Sequence, residues 1–159
     1  MEAARRATDG DLARLAELAA EAVAEQVDSR GGRVWALREA RPLPAGPSLE
    51  AALHDTGRLV LAGTIDGTTV GYAAARIEML RNRERLGIVS DIYVEPGARA
   101  VGVGEALLEA VLAWCREQGC SGVDALALPG NRETKNFFEA FGFTARALVV
   151  HRQLPAGPV

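Results

Sequence analysis

Gly87-Ile88-Val89-Ser90-Asp91-Ile92-Tyr93-Val94, followed through Glu95-Pro96-Gly97-Ala98 by Arg99-Ala100-Val101-Gly102-Val103-Gly104, is the stretch whose reading decides the fold. The first part is an apolar run bounded by turn residues, which reads as a buried strand. Beyond the glycines, Glu105 to Gln118 carries Leu107, Leu108, Val111, Leu112 and Cys115 on one face at helical spacing. A strand that ends in a glycine-spaced loop and then a helix is a device for holding phosphate. The glycines remove side-chain bulk, so backbone N–H groups can close on anionic oxygens, and the helix N-terminus adds its positive end. Two common versions of the device do not fit. A P-loop needs Lys followed by Ser or Thr after its last glycine, where Glu105-Ala106 stand. A dinucleotide fingerprint needs a third glycine, where Leu107 stands, and normally sits in a first βαβ unit rather than past mid-chain.

Upstream, Arg58–Ile65 and Thr69–Ile77 flank Asp66-Gly67, a hairpin turn signal, and Leu86–Val94 returns across the turn Arg81–Arg85. Ala4–Ala7 reads as an edge strand. Thr8 to Asp11 fits a capping box for a helix with Leu12, Leu15, Ala16, Ala19, Ala22 and Val23 on its apolar face. Asp28–Gly32 breaks that helix, and Val34–Ala40 is a short helical turn. Arg41–Pro47, with three prolines, reads as a loop, and Ser48 as the N-cap of a helix over Leu49–Asp55. Downstream, Gly119 ends the long helix and Val123–Leu128 is a strand. Thr134–Phe141 is a helix closed by Gly142, and Phe143–Gln153 is a last strand before the tail at 154–159. No repeat or linker divides the chain, so residues 1–159 read as one domain.

A chain of 159 residues can bury roughly 68–70% of its unfolded surface without disulfide or metal. Cys115 and Cys120 are not spaced as a Cys-x-x-Cys pair and read as reduced thiols of a cytoplasmic protein. No apolar stretch reaches membrane-spanning length, so no membrane partner is expected. A net charge of −3 argues against nucleic acid as a partner. Lys135 is the only lysine, and the arginine and alanine bias reflects base composition rather than function.

Arg99-x-x-Gly102-x-Gly104, led in by Ile92-Tyr93-Val94-Glu95-Pro96, resembles the acyl-CoA-binding motif of the GNAT family of N-acetyltransferases. Downstream, Asn131, Thr134, Phe137-Phe138 and Gly142-Phe143 resemble that family's second motif of Asn, a small residue, an aromatic pair and Gly-Phe. The resemblance implies an α/β (α+β) fold with a mixed, mostly antiparallel central sheet of six to seven strands flanked by about four helices. One departure is visible. The family usually ends in two strands, and Phe143–Gln153 is long enough for one, so the last two are merged or a seventh comes from a partner subunit. A homodimer is left open, since relatives often dimerise.

The resemblance also implies the chemistry. Acetyl-CoA would donate an acetyl group to a primary amine of a small molecule or protein by direct attack, with no metal. Its pantetheine arm would lie along Ile92, Tyr93 and Val94, where the strand splays from Val123–Leu128, with a backbone N–H near Val94 as oxyanion donor. Its pyrophosphate would rest on Arg99, Ala100, Val101, Gly102, Val103 and Gly104, with Ala100 where glycine is common. Asn131 and Phe138 would adjoin the cofactor. Phe138 stands where many relatives have the tyrosine that protonates the leaving thiolate. Tyr93 is the remaining phenol near the site, or a plain sheet aromatic. Asp91 is the first candidate base and Glu78 the second, each also readable as a salt-bridged carboxylate. His54 and His151 are isolated, and Cys115 reads as the buried face of a helix rather than a nucleophile. The arginines between Arg30 and Arg38 favour an acidic acceptor or form a solvated loop. The loss of the tyrosine keeps a second reading alive, an acyl-CoA-binding sensor with little turnover.

Overall fold

Strands β1 (Glu2–Arg6), β2 (Arg58–Ile65), β3 (Thr68–Met79), β4 (Arg85–Val94) and β5 (Cys120–Ala125) lie side by side in that order in one sheet. The computed structural model describes residues 1–158. The first three ladders are antiparallel and the last, between β4 and β5, is parallel. The Asp66-Gly67 hairpin forms as its sequence dictates: both residues take positive φ, 47° and 84°, the left-handed pair that a two-residue turn between twisted strands requires.

Helices α1 (Leu12–Gln26), α2 (Gly32–Arg38) and α3 (Gly46–Leu53) precede β2, and α4 (Val103–Glu117) crosses between β4 and β5. Helix α5 (Arg132–Ala140) follows the sheet. The period of two in β2 sorts the core: Leu59 and Leu61 pack with Leu107, Leu108 and Val111 of α4, whereas Val60 packs with Leu15, Leu18 and Leu49 on the α1 and α3 face. Helix α4 sits close on the sheet because β2 offers Gly63 beneath it. A Cβ there would lie 2.7 Å from Val103 Cγ1 and 2.9 Å from Leu107 Cδ1.

The capping box at Thr8–Asp11 also ties β1 to α1. Asp11 accepts the Thr8 N–H at 2.8 Å and a two-pronged contact from Arg5 at 2.7 and 2.9 Å. The Arg5 hydrogen bond, against the opposing effect of burial, holds the Asp11 carboxyl down at about 2. A lowered carboxylate stabilises the fold above the ordinary carboxylate pKa and loses that contribution as pH falls. The Asp11 share, up to about 2 kcal/mol, is therefore expected to fade between pH 4 and pH 2. Asp11→Asn is expected to flatten that part of the stability profile in denaturant titrations. An unchanged acid limb would show that the stability resides elsewhere.

A bulge in β4 shapes everything that follows. Ala74 pairs with Asp91 and Ala75 with Val89, so Ser90 is the extra residue. The bulge reverses the alternation of side chains. Val89 packs on the α4 side, and so do Ile92 and Val94, while Tyr93 packs on the α1 and α3 side and Asp91 meets Tyr72 there.

Several expectations are corrected. The sheet has five strands, not six to seven, and five α-helices flank it, among the described residues. The expected strand Val123–Leu128 is instead Cys120–Ala125, because among the described residues it pairs with the first half of β4 alone. Helix α3 begins at Gly46, before Ser48, since Pro47 is well suited to a first helical turn. The expected strand Phe143–Gln153 does not form. Phe143 packs against the core and donates its N–H to the Phe138 carbonyl, but residues 144–158 have no regular structure and are exposed. A β-prone run becomes a strand only when it pairs along an edge; among the described residues the segment forms no ladder with β5, and the Arg146–Asp124 ion pair links the two.

Candidate active site

The parallel ladder between β4 and β5 runs from Arg85 opposite Cys120 to Val89 opposite Ala125 and stops there. From Ser90 to Val94, β4 continues with β3 on one side and, among the described residues, no strand on the other. The stop coincides with the Ser90 bulge, whose added twist turns the strand away.

The glycine-spaced loop begins where β4 ends. Ala100 and Gly102 take positive φ, 63° and 97°, and Gly102 is the N-cap of α4. Among the described residues, no acceptor takes the N–H groups of Ala100, Val101, Gly102, Val103, Gly104 or Glu105. Six successive free donors at the N-terminus of a fifteen-residue helix form a cradle for an anionic group. Arg99 frames it, donating to the Val94 carbonyl at 2.8 Å and to Glu25 of α1 at 2.7 Å, with its guanidinium 5.4 Å from the Tyr93 ring centre. Helix α5 closes the other side, with Phe137 beside Gly104. Asn131 caps α5 by accepting the Thr134 N–H at 3.0 Å and reaches Gln26 of α1 at 3.4 Å. Phe138 is buried in the core with Phe137 and Phe143.

On the α1 and α3 face, Asp91 is the centre of a buried polar network. Arg41 grips it with Nε at 2.9 Å and Nη2 at 2.7 Å, the Tyr72 hydroxyl donates to it at 2.7 Å, and the Ser90 hydroxyl lies 2.7 Å from Oδ1. The Arg41 and Asp91 side chains are 11% and 8% exposed, so the pair is shielded from water. Burial opposes the charge on Arg41, yet the Asp91 contact holds its pKa above the ordinary value. Burial, then the Asp91 charge, pushes the Tyr72 phenol well above its usual range. Ser90 has one hydroxyl proton and two acceptors in reach, Asp91 and the Ala74 carbonyl at 3.2 Å, so it can release Asp91 by rotating.

Tyr93 shares this face. Its hydroxyl is 3.5 Å from Glu21 of α1, and burial, then Glu25 and Glu21, raises it to about 12. Glu78 stands apart, four residues along β3 from Ala74, the partner of Asp91, or about 13 Å of strand. Cys115 lies on the buried face of α4 and its thiol is pushed up to about 12, first by desolvation and then by Cys120, which leaves no thiolate to act as nucleophile.

The structure thus gathers Asp91, Tyr93, Ile92, Val94 and the whole Arg99–Gly104 loop at one end of β4. Sequence reading missed Arg41, Tyr72, Ser90 and Glu25. Tyr72 sits opposite Tyr93 in a hairpin whose limits were legible, so pairing could have found it. Arg41 lies in a proline-rich segment without periodicity and gave no signal.

The family model described as the acetyltransferase (GNAT) family matches residues 15–143. An aminoglycoside N(6′)-acetyltransferase type 1 from Stenotrophomonas maltophilia is 33% identical over 106 residues, 64% of this chain and 69% of the relative. Among solved structures, a tetramutant of the BH1408 protein from Bacillus halodurans is similar with a TM-score of 0.80 at 19% identity, over 95% of this chain and 99% of its own. AAC(6′)-Iy, solved in complex with the bisubstrate analogue CoA-S-monomethyl-acetylneamine, is similar with a TM-score of 0.72 at 20% identity, over 98% of this chain and 99% of its own. At these identities the two structures establish a shared fold.

Proposed function

The chain belongs to the acetyltransferase (GNAT) family and is an acyltransferase, and within that family we propose that it moves an acetyl group from acetyl-CoA to a primary amine of a small molecule. The observation that carries this reading is the row of six free N–H groups from Ala100 to Glu105, directly after a strand with one open side. The donor set suits a pyrophosphate, and the open edge of Ser90–Val94 suits an extended pantetheine arm added as a strand. The relative from Stenotrophomonas maltophilia acts on aminoglycosides, which supports a small-molecule acceptor.

Bound acetyl-CoA supplies a thioester whose carbonyl the amine attacks directly. In this reading a backbone N–H near Val94 steadies the developing oxyanion. The proton shed by the attacking nitrogen passes through the Ser90 hydroxyl to Asp91 Oδ1, with the carboxylate held in place by Arg41 and Tyr72. Tyr93 keeps its proton throughout the neutral range and is the phenol available to the departing thiolate, since Phe138 has none to give. A thiol with pKa near 8.5 also leaves tolerably as the anion. Glu78 lies too far from this cluster to share in it. The free thiols of Cys115 and Cys120 fit a cytoplasmic setting.

Calorimetric titration with acetyl-CoA, followed by thiol release in the presence of amines, tests the reading. Micromolar binding and amine-dependent release are expected. Failure to bind at high protein concentration would overturn it, and binding without turnover would favour an acyl-CoA sensor.

We further propose that two copies associate through their C-terminal segments. Leu148, Val149 and Val150 are 88%, 82% and 91% exposed, and among the described residues the outer edge of β5 has no strand beside it. Sedimentation is expected to find a dimer that Val149→Lys converts to monomer. A monomeric parent chain at tens of micromolar, on the order of a weak complex's Kd, would refute the association.

A further inference from the structure

A cavity of about 280 Å³ opens on the α2 and α3 side of the sheet, with Ser90 and Asp91 in its wall. It lies on the face of β4 opposite α4, away from the phosphate cradle. Its size is at the small end of ligand pockets. Its charge is unbalanced: Arg38, Arg41, Arg58 and Arg76 line it against two carboxylates, Glu39 and Asp91.

Asp91 is already committed to Arg41. The other three guanidinium groups have only loose partners. Arg38 lies 3.6 Å from Glu39, Arg58 3.4 Å from Asp55 and Arg76 3.7 Å from Glu78, and none of these contacts is a hydrogen bond. Asp55 and Glu78 are also outside the cavity wall. Three arginine forks with unused donors, facing a small cavity beside the proposed proton acceptor, are suited to a carboxylate and repel a polycation.

We propose that the acceptor is a small amine that also carries a carboxylate, an amino-acid-like substrate, and that this chain does not take the polycationic aminoglycosides of its relative. The inference rests on the acetyltransferase reading above. The carboxylate would bind the Arg58 and Arg76 side of the cavity, leaving the amine toward Ser90 and Asp91.

The test is thiol release from acetyl-CoA with matched acceptors: lysine and cadaverine, phenylalanine and phenethylamine, and kanamycin. The carboxylate-bearing member of each pair is expected to have at least about a tenfold higher kcat/KM, expressed mainly in KM, roughly the contribution of one charge-assisted contact. The preference is expected to collapse in Arg58→Gln and in Arg76→Gln, with acetyl-CoA affinity and melting temperature unchanged. Preference for the decarboxylated member or for kanamycin would overturn the proposal. So would a preference that survives both substitutions, or acetyl-CoA binding with no carboxylate-bearing amine acetylated. These results differ from a failure to bind acetyl-CoA, which removes the acetyltransferase reading itself.

Discussion

Gly102→Glu is expected to weaken acetyl-CoA binding at least about a hundredfold, because it places a carboxylate among donors suited to phosphate. At about 5 Å and an effective dielectric near 20, repulsion between two unit charges is about 3 kcal/mol, a factor of more than a hundred. A second effect adds to it. Gly102 has φ 97°, which side chains rarely adopt, and a Cβ there would meet the Glu2 side chain at 3.6 Å. Left-handed backbone disfavours an L residue by roughly 1–2 kcal/mol. Gly102→Ala separates the two effects, since it carries the backbone strain without the charge. Its melting temperature should fall by a few degrees, about as far as that of Gly102→Glu, while its affinity for acetyl-CoA falls far less. Calorimetry and thermal denaturation of the three proteins decide the matter. Near-parental affinity in Gly102→Glu would mean that the loop is only a tight strand-to-helix turn.

The parts of this fold that were legible in sequence are those fixed by local chemistry. Asp66-Gly67 had to turn, Thr8 and Asp11 had to cap, and the apolar face of Glu105–Gln118 had to be a helix, each from residues within one or two turns of chain. The loop of free N–H groups before α4 was legible for the same reason, as a strand, two glycines and a helix written consecutively. The Asp91 network was not. Its members come from three segments, Arg41 from the loop before α3, Tyr72 from β3, and Ser90 and Asp91 from β4, and they meet only because the bulge at Ser90 turns Asp91 to the α1 and α3 face. Simple alternation would have put Asp91 beside Val89, on the α4 side, and no residue type announces a bulge. The last strand failed for a complementary reason. Phe143–Gln153 has the residues of a strand, but pairing depends on a neighbouring strand that the segment's own residues do not name, and among the described residues none pairs with it.

The buried Arg41–Asp91 pair is the site of the largest expected loss of stability, and the same pair separates support from catalysis. Each partner is shielded from water, so removing one leaves the other charged and unpaired. Arg41→Met and Asp91→Asn are each expected to destabilise by about 3 to 5 kcal/mol. The double variant Arg41→Met/Asp91→Leu should recover much of that, because neither charge then remains. Urea titration measures all three. Activity should divide the single variants differently. Arg41→Met leaves the Asp91 carboxylate in place as an acceptor. Asp91→Asn keeps the shape and removes the proton acceptor. If Asp91 receives the amine proton, kcat falls by about a hundredfold or more in Asp91→Asn and much less in Arg41→Met, at equal loss of stability. Equal losses of kcat in the two would reduce Asp91 to a positioning residue that acts through the arrangement of Ser90 and Tyr72.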